Sequence, residues 1–256
     1  MNISSSIPFK PKIAAFLIHC VFSACIIGIF MAIVMGLWFP DNLFELEDVW
    51  EGLKILIPVY AIVGPLLTLI LYAPNKKGLK IDISMIAIFQ IVALLYGGWT
   101  IYGQRPAVFV FAGDRFEIIP YSEFDQSKLL KEYYPASITK YPLITYALPG
   151  QNNEEKKDFI FNNIQYQKSP ERYRPLNDYI DILRKRALDI NNFKPGTSES
   201  TVSLVKFIKR HKNNQDILLF PLQGTTFDSI VLVLDIKGIS NAGYIDIDPW
   251  SEYSRK

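Results

Sequence analysis

Few side chains in this sequence are of a type and spacing that could do chemistry. The chain has two histidines. His19 lies inside a long uncharged apolar run, where a lone imidazole is expected to be hydrogen-bonded within the protein. His211 stands beside Lys209 and Arg210 at an expected helix end, where basic side chains complement the helix dipole rather than act as bases. Asp246 and Asp248 alternate with Ile245 and Ile247, which places both carboxylates on one strand face. Two carboxylates can help hold a cation, but no third or fourth oxygen ligand accompanies them, so a solvated polar face is the expected role. Cys20 and Cys25 point in different directions on one presumed helix and do not suit a disulfide. Neither a glycine-rich phosphate loop nor a Gly-x-Ser-x-Gly elbow occurs. The expectation is a protein that is not an enzyme, with no catalytic residue, no metal and no cofactor. The polar residue that stands out instead is Gln90, near the middle of an apolar run. An uncompensated amide in hydrocarbon is costly, so Gln90 should face protein, either Thr68 within the chain or a guest helix.

The elements that carry these residues divide sharply. Residues 104–256 hold 21 of the 27 Lys and Arg and 19 of the 25 Asp and Glu, whereas nearly all long apolar runs precede Gly103. That split predicts a three-helix transmembrane domain over 1–104, with helices at about 13–39, 52–73 and 81–103, and a water-soluble domain over 105–256. The first run is too long for a signal-peptide core, and its exit, Trp38-Phe39-Pro40-Asp41, is not a cleavage site, so it reads as a retained anchor. Gly64-Pro65 predicts a kink in the second helix, and Asp82 complements the dipole at the start of the third. Lys10 and Lys12 precede the first helix and Lys76, Lys77 and Lys80 fill the second loop, while the first loop is acidic throughout. By the positive-inside rule the N-terminus is cytoplasmic and the C-terminal domain lies on the far side. In a bacterium this is an inner-membrane protein with a periplasmic domain. The net charge of +2 and the lack of a basic stripe argue against nucleic acid as a partner.

On the first helix Ala24, Gly28, Ala32 and Gly36 recur every fourth residue and form a face that permits close backbone approach. It can pack against the other two helices or receive a partner's helix. In the soluble domain, Ala107–Phe111 and Phe116–Ile119 flank a hairpin turn at Gly113. Residues 176–190 show a helical period, a second helix is expected at about 200–210 with Leu204, Phe207 and Ile208 inward, and strands follow at 216–221, 229–236 and 244–248. The fold class expected is three N-terminal transmembrane α-helices followed by a small α+β periplasmic domain with an antiparallel sheet.

Several segments, in order along almost the whole chain, resemble the TfpX/TfpZ family of type IV pilin accessory proteins. They are the run ending in Trp38 and Pro40, the Gly64-Pro65 to Leu69 stretch with Thr68, Asp82 and the Gln90 to Gly97 stretch with Tyr96, Arg105-Pro106, Asp114-Arg115-Phe116, and Asp248 with Pro249 and Trp250. The family pattern has an acidic residue where this chain has Tyr60. The resemblance implies a membrane chaperone or assembly helper that binds a type IV pilin subunit, alongside the bilayer and other inner-membrane pilus assembly components. A pilin-binding surface made of Ala24, Gly28, Ala32, Gly36, Gly64, Pro65, Thr68 and Gln90 follows as an expectation. The alternative is a membrane-anchored periplasmic ligand sensor. With only a short N-terminus and one short loop inside, it would lack its own cytoplasmic output module.

Overall fold

Three stretches of the chain combine helical length with an apolar composition that water would not tolerate unpaired. In a computed structural model, which describes residues 9–136, 138–155, 157, 165–211 and 216–254, they form span 1 (Phe9–Trp38), span 2 (Val49–Leu71) and span 3 (Leu79–Gln104). Each is long enough for a hydrocarbon layer of about 30 Å. Span 1 is α-helical to Ile33 and closes with a π-helical turn, Val34–Trp38. Span 2 is broken by a second wide turn, Val59–Val63, lying between Pro58 and the Gly64–Leu71 helix that carries Pro65. A proline ring presses on the carbonyl four residues back and donates no hydrogen bond. The wider turn holds the Ala61 carbonyl, four residues before Pro65, and gives it room; this is how the irregularity expected at Gly64-Pro65 is realised.

The spans make one compact unit. The segment Asp41–Glu47, between spans 1 and 2, joins the chain beyond Gly103 in the other. The first loop therefore belongs with the globular unit, although it falls inside the 1–104 portion of the sequence.

The globular unit is built on a seven-stranded sheet. Its strands are β1 (Pro106–Ala112), β2 (Arg115–Pro120), β3 (Leu143–Ala147), β4 (Tyr173–Pro175), β5 (Ile217–Gln223), β6 (Ser229–Asp235) and β7 (Ser240–Ile245), in the order β4-β3-β1-β2-β5-β6-β7. The expected hairpin is present as β1 and β2, with Gly113 at φ 76° in its turn, a conformation that favours glycine. The β5–β6 and β6–β7 pairs are also antiparallel, as is β3–β4. Two pairings are parallel, β1 with β3 and β2 with β5, so the sheet is mixed rather than wholly antiparallel. The reason is connectivity: long segments separate β2 from β3 and β4 from β5, the second carrying the helices Ile180–Arg186 and Ser198–His211, and these allow the chain to re-enter in the same direction.

Every residue of β1 is buried, so both sheet faces are covered there. One face packs Val108 and Val110 with Ile119, Leu129 and Tyr173. On the other, Phe111, Phe116 and Phe220 meet edge to face at 5.1–5.4 Å. Farther along, Phe193, Leu219, Val231, Val233, Ile245 and Ile247 form a second core, closed by Leu204 and Phe207 of the helix Ser198–His211. Thr197 caps that helix by accepting from the Ser200 amide at 3.0 Å. Ile208, expected inward, is instead exposed, and the helical period over 176–190 resolves into a 3-10 turn (Leu176–Tyr179) and a short α-helix (Ile180–Arg186). The last strand lies a few residues before the expected 244–248, and only the burial alternation persists there, with Ile245 and Ile247 inside and Asp246 and Asp248 outside.

Candidate functional site

Polar side chains are scarce in the three spans, and packing gathers several of them. His19 on span 1 bridges span 2 and span 3: Nδ1 lies 2.6 Å from Thr68 Oγ1 and Nε2 lies 2.9 Å from Gln90 Oε1. With the amide oxygen facing it, a neutral His19 carries its proton on Nε2 and accepts from the Thr68 hydroxyl at Nδ1. Tyr60 donates to the Gln90 carbonyl at 2.7 Å. Thr68, Tyr60 and Gln90 are all buried. Gly64 makes this possible, because a Cβ there would lie 2.0 Å from Gln90 Nε2. That nitrogen is buried and has no hydrogen-bond partner among the described residues. Beside the cluster a cavity of about 540 Å³ is lined mainly by apolar side chains such as Ile18, Phe22 and Ile83, with His19, Thr68 and Gln90 as its polar part.

The residues expected to form one binding surface fall into two groups. Gly64, Pro65, Thr68 and Gln90 are buried within the bundle. Ala24, Gly28, Ala32 and Gly36 are all exposed. A Cβ at Gly28 or Gly36 would meet nothing within 4 Å. Gly28 follows His19 by nine residues, a rotation of about 180° at 100° per residue, so the small-residue face points away from the polar cluster. The small face therefore takes no part in packing the spans, and no single guest helix lying on it also reaches Gln90. Sequence reasoning paired Gln90 with Thr68 and missed that His19 joins them. The signal was available: isolated polar groups in neighbouring apolar helices are expected to find one another.

Outside the spans, the first loop carries a buried acid. Glu47 Oε2 accepts from Thr225 Oγ1 at 2.6 Å and Oε1 from the Thr225 amide at 3.2 Å, while Thr226 Oγ1 donates to the Leu46 carbonyl at 3.1 Å. Gly224 allows the close approach, since a Cβ there would sit 2.7 Å from the Leu46 oxygen. Burial raises the Glu47 carboxyl to about 7, against the smaller lowering effect of the two Thr225 hydrogen bonds.

The remaining motif positions are mostly structural. Trp38 packs edge to face on Tyr102 at 5.1 Å, and Pro40 is exposed. Asp82 accepts from Lys76 Nζ at 2.6 Å. Gly97 leaves room for Leu56, whereas Tyr96 is exposed on span 3. Arg105 lies 4.3 Å over the Tyr121 ring, Pro106 opens β1, and Phe116 sits in the aromatic core. Two motif pieces distant in sequence converge: Arg115, which also contacts Asp114 at 3.3 Å, lies 6.0 Å over Trp250, next to buried Pro249. Asp248 is spent as a cap, accepting from the Trp250 amide and the Ser251 hydroxyl. His211 stacks on Phe207 at 5.0 Å.

These features define a polytopic membrane protein: three candidate spans tied together by a buried polar cluster, and a mixed-sheet unit that incorporates the first loop. No family model and no solved structure matches the chain. Among curated proteins it is similar to the fimbrial assembly protein of serogroup I from Dichelobacter nodosus, 23% identical over 94% of this chain and 96% of the relative. The serogroup E1 protein from the same organism is 24% identical with the same coverage. The fimbrial assembly protein of serogroups C1 and C2 is 32% identical over 43% of this chain and 85% of its own length. The chain belongs to the family of fimbrial assembly proteins.

Proposed function

We propose that this chain is a type IV pilin accessory protein, a non-enzymatic helper in the bacterial inner membrane that binds a specific pilin subunit and supports pilus biogenesis. The observation that carries the reading is the relationship to fimbrial assembly proteins along almost the entire chain, spans and globular unit together. A pilin awaiting assembly has an apolar helix in the membrane and a folded head outside it, and its helper needs a surface for each. The open face of Ala24, Gly28, Ala32 and Gly36 suits the first, because small side chains let a guest backbone come close. The polar cluster of His19, Thr68 and Gln90 fixes the bundle that presents this face and is not itself the guest contact. A cytoplasmic N-terminus and a periplasmic globular unit follow from the lysine distribution. The clasp of Glu47 on Thr225 supports that topology, since it requires the first loop and the globular unit to share one side.

The test is Gly28→Leu. Gly28 is exposed and a Cβ there meets nothing within 4 Å, so the variant should accumulate like wild type. A leucine on this face props a guest backbone away from it, so recovery of pilin with the variant should fall several-fold, and surface pili with it. Unchanged pilin recovery at normal abundance sinks the span 1 surface and moves recognition to the globular unit. Gln90→Leu is a poorer probe, because it strips His19 of its acceptor and disturbs the bundle directly.

A further inference from the structure

The cavity beside His19 lies entirely within the unit formed by the spans. Ile18, Phe22 and Ile83 line it and are all exposed, so it is a slot open along the side of the bundle rather than a sealed void. On span 1 the lining runs from Pro11 to Phe22, a rise of about 16 Å at 1.5 Å per residue, against a hydrocarbon layer of about 30 Å. The slot therefore has the length of a single leaflet. Ala14, Ala15 and Ala87 give it depth, and His19 and Thr68 spend their polar atoms within the cluster, which leaves walls suited to an apolar chain.

One end of the slot is cationic. Lys80 precedes Ile83 by three residues and Ala87 by seven, so the helical period puts it on the face of span 3 that lines the slot, one turn beyond its edge. Lys10 and Lys12 flank Pro11, and Lys12 Nζ donates to the Ile70 carbonyl at 3.2 Å, which holds it beside the end of span 2. Tyr72, an aromatic of the interfacial kind, lines the same end. Asp82, the one acid at this end of the spans among the described residues, is neutralised by Lys76 at 2.6 Å. The positive-inside rule asks only that lysines gather on this side; it does not require one on the helix face of an apolar slot. Basic rims between spans are suited to anionic headgroups. We infer that the slot holds one anionic phospholipid, with an acyl chain along Ile18, Phe22, Ile83 and Ile86 and its phosphate against Lys10 and Lys80. The inference does not depend on which client the protein serves.

The experiment uses the full chain, purified alone in an uncharged detergent and mixed with phosphatidylglycerol that carries a diazirine near the end of one acyl chain. A parallel arm uses the same chains on a phosphatidylcholine headgroup, and labelled residues are mapped by peptide mass spectrometry. The phosphatidylglycerol probe should label Ile18, Phe22 or Ile86 several-fold above Leu95 and Trp99, which are exposed on span 3 but lie off the slot. Phosphatidylcholine should label the slot more weakly. In Lys10→Gln/Lys80→Gln, which alters two exposed side chains and keeps three lysines at this end, the phosphatidylglycerol concentration for half-maximal labelling should rise roughly tenfold. Labelling spread over the spans in proportion to exposure overturns the proposal. Equal labelling by the two headgroups, or an unchanged concentration dependence in the double variant, also overturns it, because the slot would then be an ordinary lipid-facing groove. A slot that neither probe labels overturns it as well and leaves the slot to a guest helix.

Discussion

Gly64→Ala is expected to cost the membrane unit about 2 to 4 kcal/mol, combining overpacking with the loss of a buried polar contact. The alanine Cβ would lie 2.0 Å from Gln90 Nε2 and 2.7 Å from its Cδ. An ordinary surface glutamine would swing aside, but this one is buried and held by His19. Either the amide moves and strands the imidazole in an apolar setting, or spans 2 and 3 separate. The expected readout is a lower thermal midpoint in detergent and reduced accumulation in membranes. Gly28→Ala, facing open space, serves as the control and should match wild type. Adding Gln90→Ala to Gly64→Ala should recover part of the loss, since two residues in direct contact are not additive. A Gly64→Ala protein as stable as wild type would show that the cluster does not set the helix packing.

Glu47 makes the docking of the first loop depend on pH. Its carboxyl is raised from the ordinary 4.5 to about 7 by burial, so the docked form prefers the proton. Below the ordinary value both docked and released forms are protonated and no proton-linked difference exists. Between there and pH 7 the released carboxylate ionises first, and docking weakens as pH rises. Above 7 both forms are ionised and the loss is complete, at about 3 kcal/mol. No cation is among the causes of the shift; the loop around Glu47 carries the acids Glu45 and Asp48, Asp228 on the turn accepts from Thr226, and Arg115 and Lys168 line the pocket on the far side of Thr225. Protection of the Thr225 amide, corrected for the intrinsic exchange rate, should fall on the order of 50-fold from pH 5 to pH 8. In Glu47→Gln, which keeps the acceptor for Thr225 and cannot ionise, the fall should vanish. Equal slopes in the two proteins would assign the pH dependence to another group.

What the sequence discloses and what it conceals follow from the range of the interactions. Hydropathy is local, so all three spans are legible, as are the β1–β2 hairpin from its glycine turn and the β5 and β6 strands from their apolar runs. The parallel pairings of β1 with β3 and of β2 with β5 are not legible, because they join strands far apart in sequence and no local pattern says which distant strands pair. Glu47 looks like one more acid in an acidic loop. Its burial depends on Thr225, 178 residues away, and on the space left by Gly224. The small-residue stripe of span 1 is plain in the sequence, but whether it faces inward depends on the rotation of the helix. That rotation is set by His19 reaching Thr68 and Gln90, which turns Gly28 outward. Gln90 was recognisable as a residue needing a partner, and the structure supplies it from within the chain.

The central claim is that a pilin helix lies against span 1, and site-specific photocrosslinking in native membranes tests it most directly. A photoreactive residue is placed at Ala24 or Ala32 on the open face, and another at Ile86, buried beside the polar cluster. The account predicts a pilin adduct from Ala24 and Ala32 that disappears in Gly28→Leu, and none from Ile86. Adducts from Ile86 with none from Ala24 or Ala32 would contradict it and place the client against the cavity at His19 instead. An absence of pilin from every position in the spans would remove the membrane surface from recognition altogether.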